Sequence, residues 1–370
     1  SAMNGARFLA ESPAALVTAL RQGGWRVVAP VERDDAIRYA PVTDAAEMPR
    51  GRRDEQEPGH YRLVDGEPGR WFDYVVGPES WKPWLFPPKR RLWSAERTGE
   101  GFAIEPEPDD WPPTAFLGVR PCEIAAIRVQ DRVFAEGAHV DPVYARRRAE
   151  TLIVAVQCAR AAPTCFCASM GTGPRASDGF DLALTELEGR FLVETGSERG
   201  ARIAETLGLP PAGEADRAEA AEQSERVAAS QSRTMPGNVA GALAAAPEHP
   251  RWDDVASRCL GCANCTLACP TCFCSDVEDV TDLTGDHAER WLVWDSCFGL
   301  DFSVAGPGPV RRSTRSRYRQ WLTHKLSTWH EQFGSSGCVG CGRCITWCPV
   351  GIDLTREAAA IAGGETGDPP

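Results

Sequence analysis

Positive charge is in short supply in this chain. Its 370 residues hold 40 Lys and Arg against 52 Asp and Glu, a formal net charge of −12. A surface of that sign repels phosphate backbones, which argues against a general nucleic-acid binder. Long apolar runs are missing as well: the best stretch, TLIVAVQCA at 151–159, is half of the roughly 20 residues a membrane helix needs. A glycine-rich dinucleotide loop after a strand, a Walker A loop, HExxH and GxSxG are all absent. The chain therefore offers no recognisable seat of its own for a hydride carrier, a nucleoside triphosphate, a zinc-protease centre or a serine nucleophile. GTGP at 171–174 lacks the dinucleotide spacing and reads as a turn. The six histidines are scattered, with no pair at metal-binding spacing. No basic region followed by an apolar core opens the chain, so the expected location is the cytoplasm. What remains is ordinary globular composition, 42% hydrophobic and 25% charged, at a length that suits two domains.

Cysteine is what the chain has in excess, 15 in all. The odd count and the absence of a secretory leader argue against a disulfide framework, and a chain this long can build a core without staples. An intracellular chain with so many thiols usually spends them on metal. Residues 259–270 read CLGCANCTLACP and residues 338–349 read CVGCGRCITWCP; both fit C-x2-C-x2-C-x3-C-P without a mismatch. Three thiolates two residues apart wrap one iron–sulfur cube, and the fourth, before the proline, points away to close the partner cube. This assigns one 4Fe–4S cluster to Cys259, Cys262, Cys265 and Cys348, and a second to Cys338, Cys341, Cys344 and Cys269. Gly261, Gly340 and Gly342 let backbone amides approach the sulfides. Paired C-x2-C also builds zinc ribbons, but zinc takes four ligands per site and has no use for a third Cys or the C-P.

Seven cysteines lie outside the eight. The tripeptide CFC occurs in PTCFCAS (163–169) and again in PTCFCSD (270–276). Cys122 and Cys158 each follow a predicted strand, so Cys122, Cys158, Cys165 and Cys167 could converge at one sheet edge on a third metal site. The competing reading is that they are small buried apolar residues, as free cysteines commonly are. Cys272 and Cys274 follow a ligand-bearing turn and read as packing around the clusters; Cys297 has no role legible from its surroundings.

The expected fold class is α+β. Residues 1–233 read as a mixed α/β domain, 234–250 as a Gly/Ala/Pro-rich linker, and 251–370 as a mostly helical ferredoxin-like domain carrying the two clusters. Helices are predicted over AALVTALRQ (14–22), from Pro121 through Phe134, and through YARRRAE. Strands are predicted at WRVVAPV, WFDYVVG, TAFLGVR and TLIVAVQ, with a hairpin around Glu188-Gly189. Residues 41–60 read as loop, 81–93 as a packed irregular segment, and 194–226 as one or two solvated helices. Tyr318, Leu322, Leu326, Trp329 and Phe333 fall on one helical face ended by Gly334. Residues 311–325 hold six Lys and Arg and no acid, which reads either as a solvated face or as a docking patch for an acidic partner.

The segments GVRPCEIAAIRVQDRVF, PTCFCASMGTGP, ACPTCFCSDVEDV, WDSCFGLDFS, RYRQWLTHK and GCVGCGRCITWCPVGID closely resemble the β subunits of sulfhydrogenase-type NiFe hydrogenases and the related A subunits of anaerobic sulfite reductases. The resemblance runs from DYVVGPESWKPWLFPP onward; the acidic stretch 194–226 matches least. It implies a non-catalytic electron-transfer subunit of a cytoplasmic oxidoreductase complex. Its partners would be a flavin subunit binding NAD(P), NADP among them, and the small and large NiFe subunits, or a sirohaem subunit in the sulfite-reductase branch. A stand-alone redox enzyme built on a third cluster, and a plain scaffold, are the readings from other classes.

Overall fold

The computed structural model describes residues 7–363; the outermost parts of the two expected domains, 1–6 and 364–370, lie outside it. The chain is α+β. A seven-stranded sheet runs in the order Arg7–Ala10, Arg190–Thr195, Leu182–Leu187, Thr151–Val156, Thr114–Val119, Arg26–Arg33, Ala36–Pro41. Its four central strands are parallel, and hairpin or edge partners close both sides antiparallel. TAFLGV and TLIVAV are buried at every position, as strands covered on both faces must be. Leu117, Leu152, Val154 and Leu184 pack to one side with helices Ala14–Gln22 and Glu198–Leu207. Phe116, Ile153 and Ala183 pack to the other with Pro121–Phe134 and Pro142–Ala149. The four parallel strands, the strand Arg190–Thr195 and these helices fall where the sequence pattern predicts them, including the turn at Gly189, φ +67°, whereas the edge strands Arg7–Ala10 and Ala36–Pro41 carry no such signal.

Several expectations need correction. Residues 81–93 are not irregular throughout, since Lys82–Leu85 is helical and a strand begins at Lys89. WFDYVVG (71–77) forms no strand. It is buried, and its carbonyls are taken by side chains: Arg120 donates to the oxygens of Phe72 and Tyr74, Gln56 to Val76 and Arg343 to Gly77. Residues 41–60 are not all loop, since Arg52–Glu57 pairs with His60–Asp65. The half that carries the cysteine runs is not mostly helical: Ser275–Thr281 and His287–Trp294 form a hairpin. That hairpin continues into Lys89–Thr98 and Gly101–Pro106, making a four-stranded antiparallel sheet shared by both halves of the chain. The first of these strands is exposed at nearly every position, so no apolar alternation marks it.

The segment read as a linker contains helix Val239–Ala245. Its Val239 and Leu243 are buried in one core with Trp252, Val255, Tyr318, Leu322, Leu326 and Ile345. The helix predicted from Tyr318 onward is present, as Thr314–Thr323 and Trp329–Phe333 joined by a π-helical turn at His324–Thr328. Among the described residues, no helix is long and apolar enough to cross a membrane.

Candidate metal centre

The two cysteine runs fold alike. In each, the middle of the run passes through left-handed backbone, at Gly261 and Ala263 in one and at Gly340 and Gly342 in the other. A one-turn helix follows, Asn264–Leu267 or Arg343–Thr346, and the two short helices lie against each other. Left-handed turns aim successive amides inward at a common centre; the Gly261 amide already donates to Cys259 Sγ at 3.4 Å and that of Ile352 to Cys348 Sγ at 3.3 Å.

Cys259, Cys262, Cys265, Cys344 and Cys348 line one cavity, walled by Phe298, Tyr318, Trp321, Ile352 and Leu354. Cys262 is exposed, so this cavity reaches the surface. The other set gathers deeper, with Cys269 and Cys341 buried. Burial pushes the Cys344 thiol well up, and Cys338, Cys341 and Cys269 raise it further. Burial likewise raises Cys265, with Cys259, Cys348 and Cys262 next in effect. Cys348 is thus among the neighbours of Cys265, and Cys269 among those of Cys344.

Four buried cations surround the cysteines: Arg120, Lys82, Lys325 and Arg343, each no more than 4% exposed. Among the described residues only Arg343 forms an ion pair with a carboxylate, Glu123 at 2.5 Å, which also accepts from Tyr39 Oη and Trp81 Nε1. Lys325 instead places Nζ 3.2 Å from Cys269 Sγ, 3.2 Å from Thr271 Oγ1 and 3.1 Å from the Gly337 oxygen. Burial pulls its pKa down, but Cys269, Cys272 and Cys338 more than reverse this and hold it well above the ordinary lysine range. The Cys269 thiol is correspondingly held well below its usual value, first by a hydrogen bond from Cys272 and then, against burial, by Lys325. Lys82 donates to the Cys272 oxygen at 3.1 Å and lies 3.8 Å from the centre of the Trp294 ring; burial lowers its pKa to about 8.

An uncompensated buried charge costs several kcal/mol. Cations clustered on thiols and short of carboxylates therefore call for anions at the cysteines. A 4Fe–4S core held by four thiolates is net negative and meets that need, so the residues fit the group. Single zinc ions fit less well: among the described residues no three His, Cys, Asp or Glu side chains gather tightly enough to share one metal ion, which zinc requires at about 2.3 Å per sulfur.

The remaining cysteines are also accounted for. Cys272 bonds to Cys269, and Cys274 pairs with Cys297, whose hydrogen bond brings Cys274 down to about 7. Cys122, Cys165 and Cys167 are buried and Cys158 is half-buried, all at the end of the parallel strands nearest the second run. The basic segment is largely satisfied within the chain: Arg315 and Arg319 reach Glu248, Arg315 also reaches Asp253, and Arg317 donates to the Arg311 and Arg312 oxygens. The four buried cations are what sequence reasoning missed. Lys325 carried a signal, since Tyr318, Leu322, Lys325 and Trp329 keep helical spacing and put the lysine on the buried face.

Residues 258–352, spanning all eight cysteines of the two runs, match the family of 4Fe–4S dicluster domains. Over 253 residues, 67% of this chain and 74% of the relative, the sequence is 35% identical to a protein of Pyrococcus furiosus named sulfhydrogenase 2 subunit beta. No solved structure matches. The dicluster match and this identity together show that the chain belongs to the family of sulfhydrogenase β subunits.

Proposed function

We propose that this chain is the iron–sulfur electron-carrying subunit of a cytoplasmic NiFe hydrogenase complex. It would stand between a flavin-containing subunit that exchanges hydride with NAD(P) and the small and large NiFe subunits. The observation that carries the reading is the set of buried cations set among the cysteines, in a chain whose relative is named as a sulfhydrogenase subunit. In this reading Cys259, Cys262, Cys265 and Cys348 hold one 4Fe–4S cluster, and Cys338, Cys341, Cys344 and Cys269 hold the other. When bound, the clusters supply one-electron chemistry, which lets a two-electron hydride donor be coupled to a distant metal.

The chain's own residues set the conditions for that chemistry. Phe298, Tyr318, Trp321 and Ile352 keep water from the first site's inner wall, while the exposed Cys262 leaves its outer side within reach of a partner. At the second site, Lys325 holds a positive charge and an N–H donor against a ligand sulfur, an arrangement that favours the reduced, more negative state.

The reading is tested in the assembled complex. With Cys269→Ser in this chain, NAD(P)H-linked hydrogen evolution should fall at least tenfold, while dye-linked hydrogen uptake at the NiFe subunits is kept. The variant should lose the second cluster's EPR signal and retain that of the first. Undiminished NAD(P)H-linked turnover, or purification of the chain with a sirohaem protein in place of NiFe subunits, would overturn it.

A further inference from the structure

The parallel strands Thr114–Val119 and Thr151–Val156 lie side by side and end at the same edge of the large sheet. The chain leaves each of them for a cysteine. Cys122 is the second residue of helix Pro121–Phe134, and Cys158 lies two residues beyond the other strand. That edge is where open α/β sheets take their ligands. A bulge between Leu117 and Val119, with Gly118 at φ +98°, reshapes the strand just before it, as bulges beside functional sites do.

The loop that carries Cys165 and Cys167 folds back over the same edge. The Cys158 amide donates to the Pro174 oxygen at 3.2 Å. A side chain at Gly173 would begin 2.9 Å from Cys167 Sγ and 3.4 Å from Pro121 Cβ, so the Cys167 sulfur faces the start of the Cys122 helix across a single glycine. Cys122 and Cys167 share one buried cluster with Val76, Val129 and Cys341. Burial raises Cys167 to about 12, with Cys158 next in effect, and Cys165 rises by burial and then through Cys167. Cys122 in turn rises by burial and then through Cys167.

Polar groups also point at this place. Arg120, 3% exposed, donates to the Phe72 and Tyr74 oxygens and acts against burial to draw the Cys158 thiol down; it forms no carboxylate ion pair among the described residues, with Glu123 and Glu186 acting on it only through space. Gln231 Nε2 lies 3.2 Å from Cys167 Sγ. Buried cysteines serving only as small apolar residues need neither a guanidinium nor an amide donor. The nearest carboxylate, Glu123, already pairs with Arg343, so the buried Arg120 charge is short of a direct anionic partner.

We propose that Cys122, Cys158, Cys165 and Cys167 hold a third iron–sulfur cluster of the 4Fe–4S class, with Arg120 as its counter-charge. This goes beyond the two-cluster reading and lengthens the electron path. The loop is bonded directly to the second run, Phe166 N–H to the Gly340 oxygen at 2.9 Å and Thr172 Oγ1 to the Val339 oxygen at 2.6 Å, so the third site would extend the relay into the large-sheet half.

The test is iron and acid-labile sulfide per full-length chain after anaerobic purification, for the wild type, Cys158→Ser/Cys167→Ser and Cys165→Ala. Four irons per cluster predict about twelve irons in the wild type and about eight in each variant, with the EPR signals of the two run clusters unchanged. About eight in the wild type overturns the third site and leaves the two-cluster reading standing. Zinc in place of the extra iron, or variants that keep about twelve, also overturns it. Fewer than about eight in the wild type sinks the two-cluster reading instead. The wild-type count decides the matter even if a variant does not fold.

Discussion

Lys325 shows what one side chain can do at this centre. Helical spacing turns it inward with Tyr318, Leu322 and Trp329, and the π-helical turn His324–Thr328 leaves its ammonium against Cys269 Sγ, Thr271 and the Gly337 oxygen. A fixed positive charge and a hydrogen bond to a ligand sulfur both stabilise the more negative, reduced cluster. Lys325→Met keeps most of the side-chain volume and removes both. The second cluster's midpoint should become more negative by about 60 mV, a tenfold change in its one-electron equilibrium, while the first, on the other side of the cysteine runs, moves much less. EPR-monitored potentiometric titration of the full chain reads both values. Equal shifts of the two clusters, or none, would remove Lys325 from this role. Counting this lysine with a surface patch is the natural reading of its neighbours, because RRSTRSRYRQ is basic and all five of its arginines face outward or partly outward.

At the scale of elements, what is legible in the sequence is what repeats locally. Pro121–Phe134 shows helical spacing and a proline in its first turn, Thr114–Val119 and Thr151–Val156 are unbroken apolar runs, and the two cysteine motifs carry their ligand pattern in twelve residues each. The elements that escape depend on partners far along the chain. His287–Trp294 is a strand because Lys89–Val293 and its neighbouring pairs bring it against Lys89–Thr98. WFDYVVG is kept out of a sheet because distant side chains occupy its carbonyls. The Gly340 turn joins both kinds of information: φ is +67°, and a Cβ there would begin 2.7 Å from the Cys167 backbone. Gly189 has the same φ of +67° with nothing within 4 Å. Gly189→Ala should therefore cost only the backbone strain, about 1 kcal/mol, whereas Gly340→Ala adds displacement of the Cys165–Cys167 loop, for a total of about 2–4 kcal/mol. Thermal unfolding of the two cluster-loaded variants side by side separates the terms, and equal losses would mean that the loop contact yields without cost.

For the whole molecule, the dicluster match spans 258–352, yet the structure gives that region much of its support from the other half. Arg343, fully buried, bonds to the Gly77 and Glu79 oxygens and to Glu123. Thr346 bonds to Gln56 and Thr164, Lys82 reaches Cys272, and the hairpin 275–294 takes Lys89–Thr98 as its next strand. Removing one partner from a buried ion pair costs about 3–5 kcal/mol, and an uncovered strand edge invites association. A fragment of residues 251–363 thus keeps all eight run cysteines and loses the groups that hold one of their two loops. It should aggregate or stay unfolded, with well under half of the full chain's run-cluster iron, by size-exclusion chromatography, circular dichroism and iron assay. A monomeric fragment carrying about eight irons would show instead that the runs are self-sufficient and that the shared sheet serves only to attach the large-sheet half. The expected failure has a functional corollary. If the cluster loops are set by contacts from residues 54–82, 120–123 and 164–172, any partner that shifts those segments acts directly on the surroundings of the second cluster, and the large-sheet half becomes part of the electron-transfer apparatus.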